Sequence, residues 1–244
     1  MKGFWATYLR ELLILKHRIW RMLMSFAVSP VLYLVAFGLG IGRNVKMGGQ
    51  SYVEFLIPGL VAMSSMTQGF AINIEINVAR FYLKVFEEFQ AAPISNLSYV
   101  CGEVAAGMTR AMLSCLVIVI ISLLSGLDLA FGPSFWLVAL LNSAVFAGLG
   151  VTSAMLIKSH ADQSLITNLI ITPMAFLGGT FFPLENLPDW ARIPLEFIPL
   201  SHTSKGLRWA AAGKGLPVDD CILLSTLAML AIFVAWWSVD KARD

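Results

Sequence analysis

The chain holds 244 residues, 58% of them hydrophobic and only 13% charged, with a mean hydropathy of +0.77. A soluble domain of this size carries about 25% charged residues, so the composition excludes one and describes an integral membrane protein. A formal charge of +2 without a long basic run gives a nucleic acid nothing to hold, and Cys101, Cys115 and Cys221 stand alone, with no CxxC pair and no metal-ligand spacing to His17, His160 or His202.

Residues 2–21 carry five Lys and Arg among apolar pairs that recur about every four residues: Phe4/Trp5, Tyr8/Leu9, Leu12/Leu13, Ile19/Trp20. The pattern predicts an amphipathic helix lying in the membrane interface. Residues 22–41 hold no charge, which is enough for a first span across a core of about 30 Å. Pro30 is expected to kink it. A polar hairpin over 42–54 leads to a second span over 53–77.

The stretch FYLKVFEEFQAAPISNLSYV, residues 81–100, is the one strongly charged interior segment. Phe86 and Phe89 fall near one face of a helical turn while Glu87 and Glu88 point elsewhere, and Pro93 stops the turn. Residues 84–95 therefore read either as a short structured element docking on something at the membrane surface or as a solvated turn. The third span is expected over 99–127 and the fourth over 134–157, after a turn at Gly132-Pro133. The fifth runs over 163–182 and is interrupted by Pro173; the sixth covers 219–239. Between these two, Pro188, Pro194 and Pro199 cut residues 185–212 into pieces too short to cross, which predicts a helical hairpin that enters the outer leaflet and returns. The fold class is thus an all-α integral membrane protein: six transmembrane helices, an amino-terminal interfacial helix and a re-entrant hairpin between helices five and six. With both termini in the cytosol, ten Lys and Arg fall inside and six outside, the bias expected of inner loops.

No GxxxxGK[ST], HExxH or GxSxG occurs, so neither nucleotide binding nor hydrolysis is written in this chain and an enzyme is not expected. Three charges need individual attention. Glu75 sits where the second span ends, at headgroup level or at a polar entrance. Arg110 lies about 16 Å into the third span and needs a carboxylate partner, either Glu103 two turns away or Glu75 on the neighbouring helix. The same three residues are candidates for substrate contact. Small residues at Gly102/Ala106 and Ala144/Gly148 have the spacing that lets helices approach closely.

Three stretches, in order, resemble the permease subunit of ABC-2 type transporters in its small bacterial form. They are YVEFLIPGL at 52–60; EFQAAPIS at 88–95 with Gly102-Glu103 and Arg110; and LGGTFFPLENLPDW at 177–190 with PLSH at 199–202 and Arg208. The resemblance covers the whole chain. It implies a pair of permeases, expected as a homodimer in the inner (plasma) membrane, working with two cytosolic ABC ATPase subunits that hold the ATP and Mg; no cofactor is expected in this chain. Phe86, Glu87, Glu88, Phe89 and Pro93 would belong to the coupling helix docked on the ATPase. Phe181, Phe182, Pro183, Trp190, Leu195 and Ile198 would form an outer gate, or a static cap. The substrate implied is amphipathic and exported between the two permeases: a drug-like compound, a lipid-linked glycan or an oligosaccharide. An ion-coupled secondary transporter would instead show repeated halves and mid-membrane carboxylates; a non-transport membrane enzyme would show a catalytic constellation.

Overall fold

In the computed structural model, which describes residues 2–40, 46–47, 50–85, 92 and 94–241, the chain is almost wholly helical. Among the described residues five helices are long and apolar enough to cross a membrane: Lys2–Gly38, Tyr52–Tyr82, Asn96–Leu124, Pro133–Leu156 and Val218–Lys241.

The first of these corrects an expectation. Helix α1 (Lys2–Tyr33) runs without a break into a π-helical turn, Leu34–Leu39, so the interfacial helix expected over 2–21 and the span expected over 22–41 are one element. Pro30 is its only proline, and the residues around position 21 are good helix formers with no reason to turn. The amino-terminal turns are not free to lie on lipid either. Thr7 and Glu11 are buried, with Thr7 packed where Gly102 leaves no side chain.

A two-residue antiparallel pair, β1 (Lys46–Met47) and β2 (Gln50–Ser51), precedes α2 (Tyr52–Phe70). Ser51 and Glu54 form a capping box that fixes the start of α2. After Ala71 the same rod continues as α3 (Ile72–Asn77) and a π-helical turn, Val78–Tyr82. Lys84, at φ 54°, is in the left-handed region where helices commonly end. The docking stretch then follows, and Phe86, Glu87, Glu88, Phe89 and Pro93 lie outside the described residues.

Ser95 caps α4 (Asn96–Leu124) by accepting from the Ser98 amide. Helix α5 (Pro133–Leu156) starts with proline at its first turn. Ser159 caps α6 (His160–Ile166), which passes through a π-helical turn, Thr167–Ile171, into α7 (Thr172–Leu177). This rod occupies the place of the fifth expected span but is not among the five long apolar helices, and it ends at Gly178, short of residue 182. A 3₁₀ turn (Leu184–Asn186), α8 (Asp189–Glu196), α9 (Pro199–Ala211) and α10 (Val218–Lys241) complete the chain.

Of the five long apolar helices, Tyr52–Tyr82 is the most enclosed and Lys2–Gly38 the least. The core gathers on α2 through Leu56, Ile57, Leu60 and Val61, met by Cys115 and Ile118 of α4, Phe135, Val138 and Phe146 of α5, Leu207 of α9 and Leu224 of α10. Gly148 packs against Ala231 so closely that an added Cβ would stand 2.9 Å from the Ala231 side chain. The small pairs predicted as contact points are therefore used in part: Gly102 receives α1 and Gly148 receives α10.

Candidate functional site

Polar side chains that the span pattern alone does not explain gather at two levels. At the end of the bundle nearer the docking stretch, Arg110 Nη1 lies 3.3 Å from Glu75 Oε1 and its Nε donates to Gln68 Oε1 at 3.3 Å. Arg18 of α1 reaches the other Glu75 oxygen at 4.0 Å. Beside them Arg10 pairs with the buried Glu11 at 2.8 Å, and Glu103 is fully buried near Tyr99 and Glu11. Of the two partners the sequence leaves open for Arg110, the ion pair is made by Glu75; none joins Arg110 to Glu103. Glu75 stands 24 residues after Ser51, or about 36 Å of helix, which exceeds the hydrocarbon thickness of about 30 Å. By that count Glu75 lies near a boundary, while Arg110 stands midway along α4, 14 residues from each end.

The residues flanking the docking stretch are tied to other helices. Arg80 Nη1 donates to Met155 O at 2.7 Å and Ala154 O at 3.4 Å. Asn96 Nδ2 donates to Asp240 Oδ1 at 2.9 Å.

At the opposite end, Arg208 of α9 holds three elements together. Its Nε donates to Phe55 O (3.2 Å), its Nη2 to Gly179 O (2.5 Å) and Thr180 O (3.2 Å), and its guanidinium lies 3.7 Å from the Phe55 ring centroid. Tyr52 donates its hydroxyl to Phe181 O at 2.9 Å. Phe181 is buried among Tyr33, Phe37 and Phe176, with centroids 5.1 to 5.2 Å apart. His202 bridges α8 to α10, with Nδ1 3.0 Å from Asp220 Oδ1 and Nε2 2.9 Å from Glu196 O. Ser201 Oγ donates to Leu195 O at 2.6 Å. On α8 Arg192 pairs with Glu196 at 2.6 Å, and that carboxylate raises the already high pKa of the guanidinium.

Of the six residues assigned to the outer gate, Phe181 is enclosed, Phe182, Pro183, Leu195 and Ile198 are half-buried, and Trp190 is 80% exposed. The exposed apolar edge of α8 is Trp190, Ile193 and Phe197. A single long face also stays uncovered on the α6–α7 rod: the polar Ser164, Asn168 and Thr172, four residues apart, beside Leu165, Leu169 and Phe176. Near its outer end it meets α1, where the rings of Tyr33 and Phe176 lie 6.4 Å apart.

The sequence profile of the family described as "ABC-2 type transporter" matches residues 2–211. The chain belongs to that family. Similar proteins include the inner membrane transport permease YadH of Escherichia coli K12, 27% identical over all of this chain and 95% of that protein. Nodulation protein J of Rhizobium leguminosarum bv. trifolii is 29% identical over 98% of this chain and 92% of its own, and that of Neorhizobium galegae 30% over 91% and 85%. The chain is therefore a transporter subunit spanning a membrane, and ABC-2 membership implies an ABC ATPase partner.

The sequence reading of this ABC-2 subunit missed a buried polar chain in its core. Thr203 donates to Asn142 Oδ1 at 2.8 Å, and Asn142 Nδ2 donates to Ser65 Oγ at 2.8 Å and Ala62 O at 3.2 Å. A lone Asn in an uncharged span is the signal that would have found it, since its amide needs partners inside a bilayer. The capping role of Arg80 was missed as well, because a basic residue at a span end reads first as a topology marker.

Proposed function

We propose that this protein is the permease half of a homodimeric exporter in the inner membrane, driven by two separate ABC ATPase subunits that bind ATP and Mg. In this reading the α6–α7 rod is a sixth crossing, both termini are cytosolic, and an amphipathic substrate moves outward between the two copies. The observation that carries it is the uncovered row Ser164, Asn168 and Thr172. The Ser164 and Thr172 hydroxyls donate to carbonyls of their own rod, at His160 O and Thr167 O, but the Asn168 amide on a spanning helix belongs against protein or a water-filled path, because lipid gives it no partner. A second copy across the α1 and α6–α7 face supplies both. Residues 84–95 act as the coupling helix, and residues 181–212 form a re-entrant outer gate pinned through Arg208 and His202. The name of the YadH relative, an inner membrane transport permease, supports the location and the transport role.

The test is purification from the native host through a tag on the permease. An ABC ATPase should co-purify, and in proteoliposomes a screen of amphipathic drugs and lipid-linked glycans should find compounds that stimulate its hydrolysis. Recovery of the permease without any ATPase would sink the reading.

A further inference from the structure

Helix α5 ends without a cap of its own. Its last turn holds no basic residue, and Ile157 leaves the helix extended at φ −108°, ψ 116°. The final carbonyls of such a helix have no intrahelical partner and carry the negative end of its dipole. Here the missing donors come from elsewhere in the chain. Arg80 gives its guanidinium to Met155 O and Ala154 O, while Ile157 O takes Asn77 Nδ2 at 3.5 Å and Gln163 Nε2 at 3.4 Å. A single guanidinium nitrogen, Nη1, serves the two successive carbonyls, and the Phe81 ring lies 5.0 Å from the guanidinium carbon.

Arg80 belongs to the π-helical turn immediately before the docking stretch, and α6 starts only three residues after the end of α5. We infer that Arg80 is a positioning residue: as the C-cap of α5 supplied from the α3 end, it makes residues 78–82 and the α5–α6 junction move as one body. The inference rests on the proposed function for its use. A displacement delivered at residues 84–95 then reaches the α6–α7 rod through Arg80, besides the two helices joined directly to that stretch. On the trailing side the Asn96–Asp240 bond gives α10 the same kind of link. Both bonds come from one charged nitrogen, so lysine can keep much of the tie, while glutamine, without charge, loses most of it.

The test uses the full-length permease in lipid nanodiscs, with Cys101, Cys115 and Cys221 replaced by alanine and spin labels at Tyr82→Cys and Lys158→Cys, both exposed positions. The parent protein should give one narrow distance distribution, Arg80→Lys a similar one, and Arg80→Gln a clearly broader one. Hydrogen exchange of the α5–α6 junction should rise about tenfold in Arg80→Gln while the middle of α5 is unchanged, as expected when a charged cap is removed. Equal distributions in the parent and Arg80→Gln would overturn the inference, and so would broadening that Arg80→Lys shares in full. Because the label measurement needs no ATPase, its outcome stands apart from the co-purification test. A permease that brings no ATPase but broadens on Arg80→Gln sinks the transport reading and leaves the tie in place.

Discussion

Arg110 and Glu75 face each other across two helices, each about one-fifth to one-quarter exposed, with Gln68 and Arg18 as further partners. Removing one member of such a pair strands the other in a poorly hydrated place, a larger loss than removing both. Arg110→Met should lower the detergent melting temperature, at a cost of about 2 kcal/mol, and Glu75→Gln in the same chain should recover part of it. Combination with Glu103→Gln should be additive. A thermal-shift double-mutant cycle decides: coupling to Glu103 and none to Glu75 would mean a different pairing in the membrane. Sequence reasoning left this choice open for a geometric reason. Glu103 shares a helix face with Arg110 but sits two turns away, about 10 Å along the axis. Which residue of the neighbouring helix lies opposite is set by packing at Gly107 and Ser114, which local spacing does not contain. His202 is a second residue whose role appears only in the fold. His202→Ala removes both bonds and leaves the largely buried Asp220 without its ring partner. Loss of stability of about 2 kcal/mol by thermal shift is expected, with faster hydrogen exchange confined to α8 and the start of α10.

At the scale of elements, uncharged runs anticipated the long apolar helices at 52–82, 96–124, 133–156 and 218–241, because twenty apolar residues in a row have few alternatives in water or lipid. The expectation failed at the amino terminus, where apolar pairs every four residues fit a helix on the membrane surface as well as one packed on protein. What decided the matter was non-local: Gly102 gives Thr7 a place on α4, and Tyr8 meets Thr109 with a 2.9 Å hydrogen bond between hydroxyls. The short helices after α7 were legible from Pro188 and Pro199, which start them, whereas Pro194 lies inside α8 and cuts nothing. Trp190, Ile193 and Phe197 lie on the open edge of α8, and Leu195 and Ile198 are half-buried. If α8 and α9 form a moving gate, cysteines at Leu195 and Ile198 should react slowly with an impermeant maleimide at rest and faster during ATP turnover. A cysteine at Ile193 should react at one rate throughout. Equal rates at Leu195 in both states would make the hairpin a static cap.

At the scale of the whole molecule, the unanswered demand is the face formed by α1 and the α6–α7 rod. Trp20, Met24, Val28, Leu32 and Val35 of α1 suit lipid, whereas the exposed Asn168 of the rod carries an amide that lipid cannot partner. The π-helical turn at Thr167–Ile171 adds to this, since Thr172 Oγ1 donates to Thr167 O at 3.1 Å and its other lone pairs stay open to the outside. Two copies related by a two-fold axis along this face would set each row opposite its equivalent, so that residues near the axis meet themselves. Asn168, at the centre of the row, is the position best placed for that. In membranes of the cysteine-free protein, Asn168→Cys should form a disulfide-linked dimer on mild oxidation, and Thr172→Cys should do so more weakly. Met229→Cys, equally exposed but on α10, should stay monomeric. If the copies bound a wet path along this row, an impermeant thiol reagent should also slow the dimer's cross-linking by reaching Asn168→Cys first. Cross-linking through Met229 with none through Asn168 would place the contact between copies on α10 and leave the polar row to some other partner.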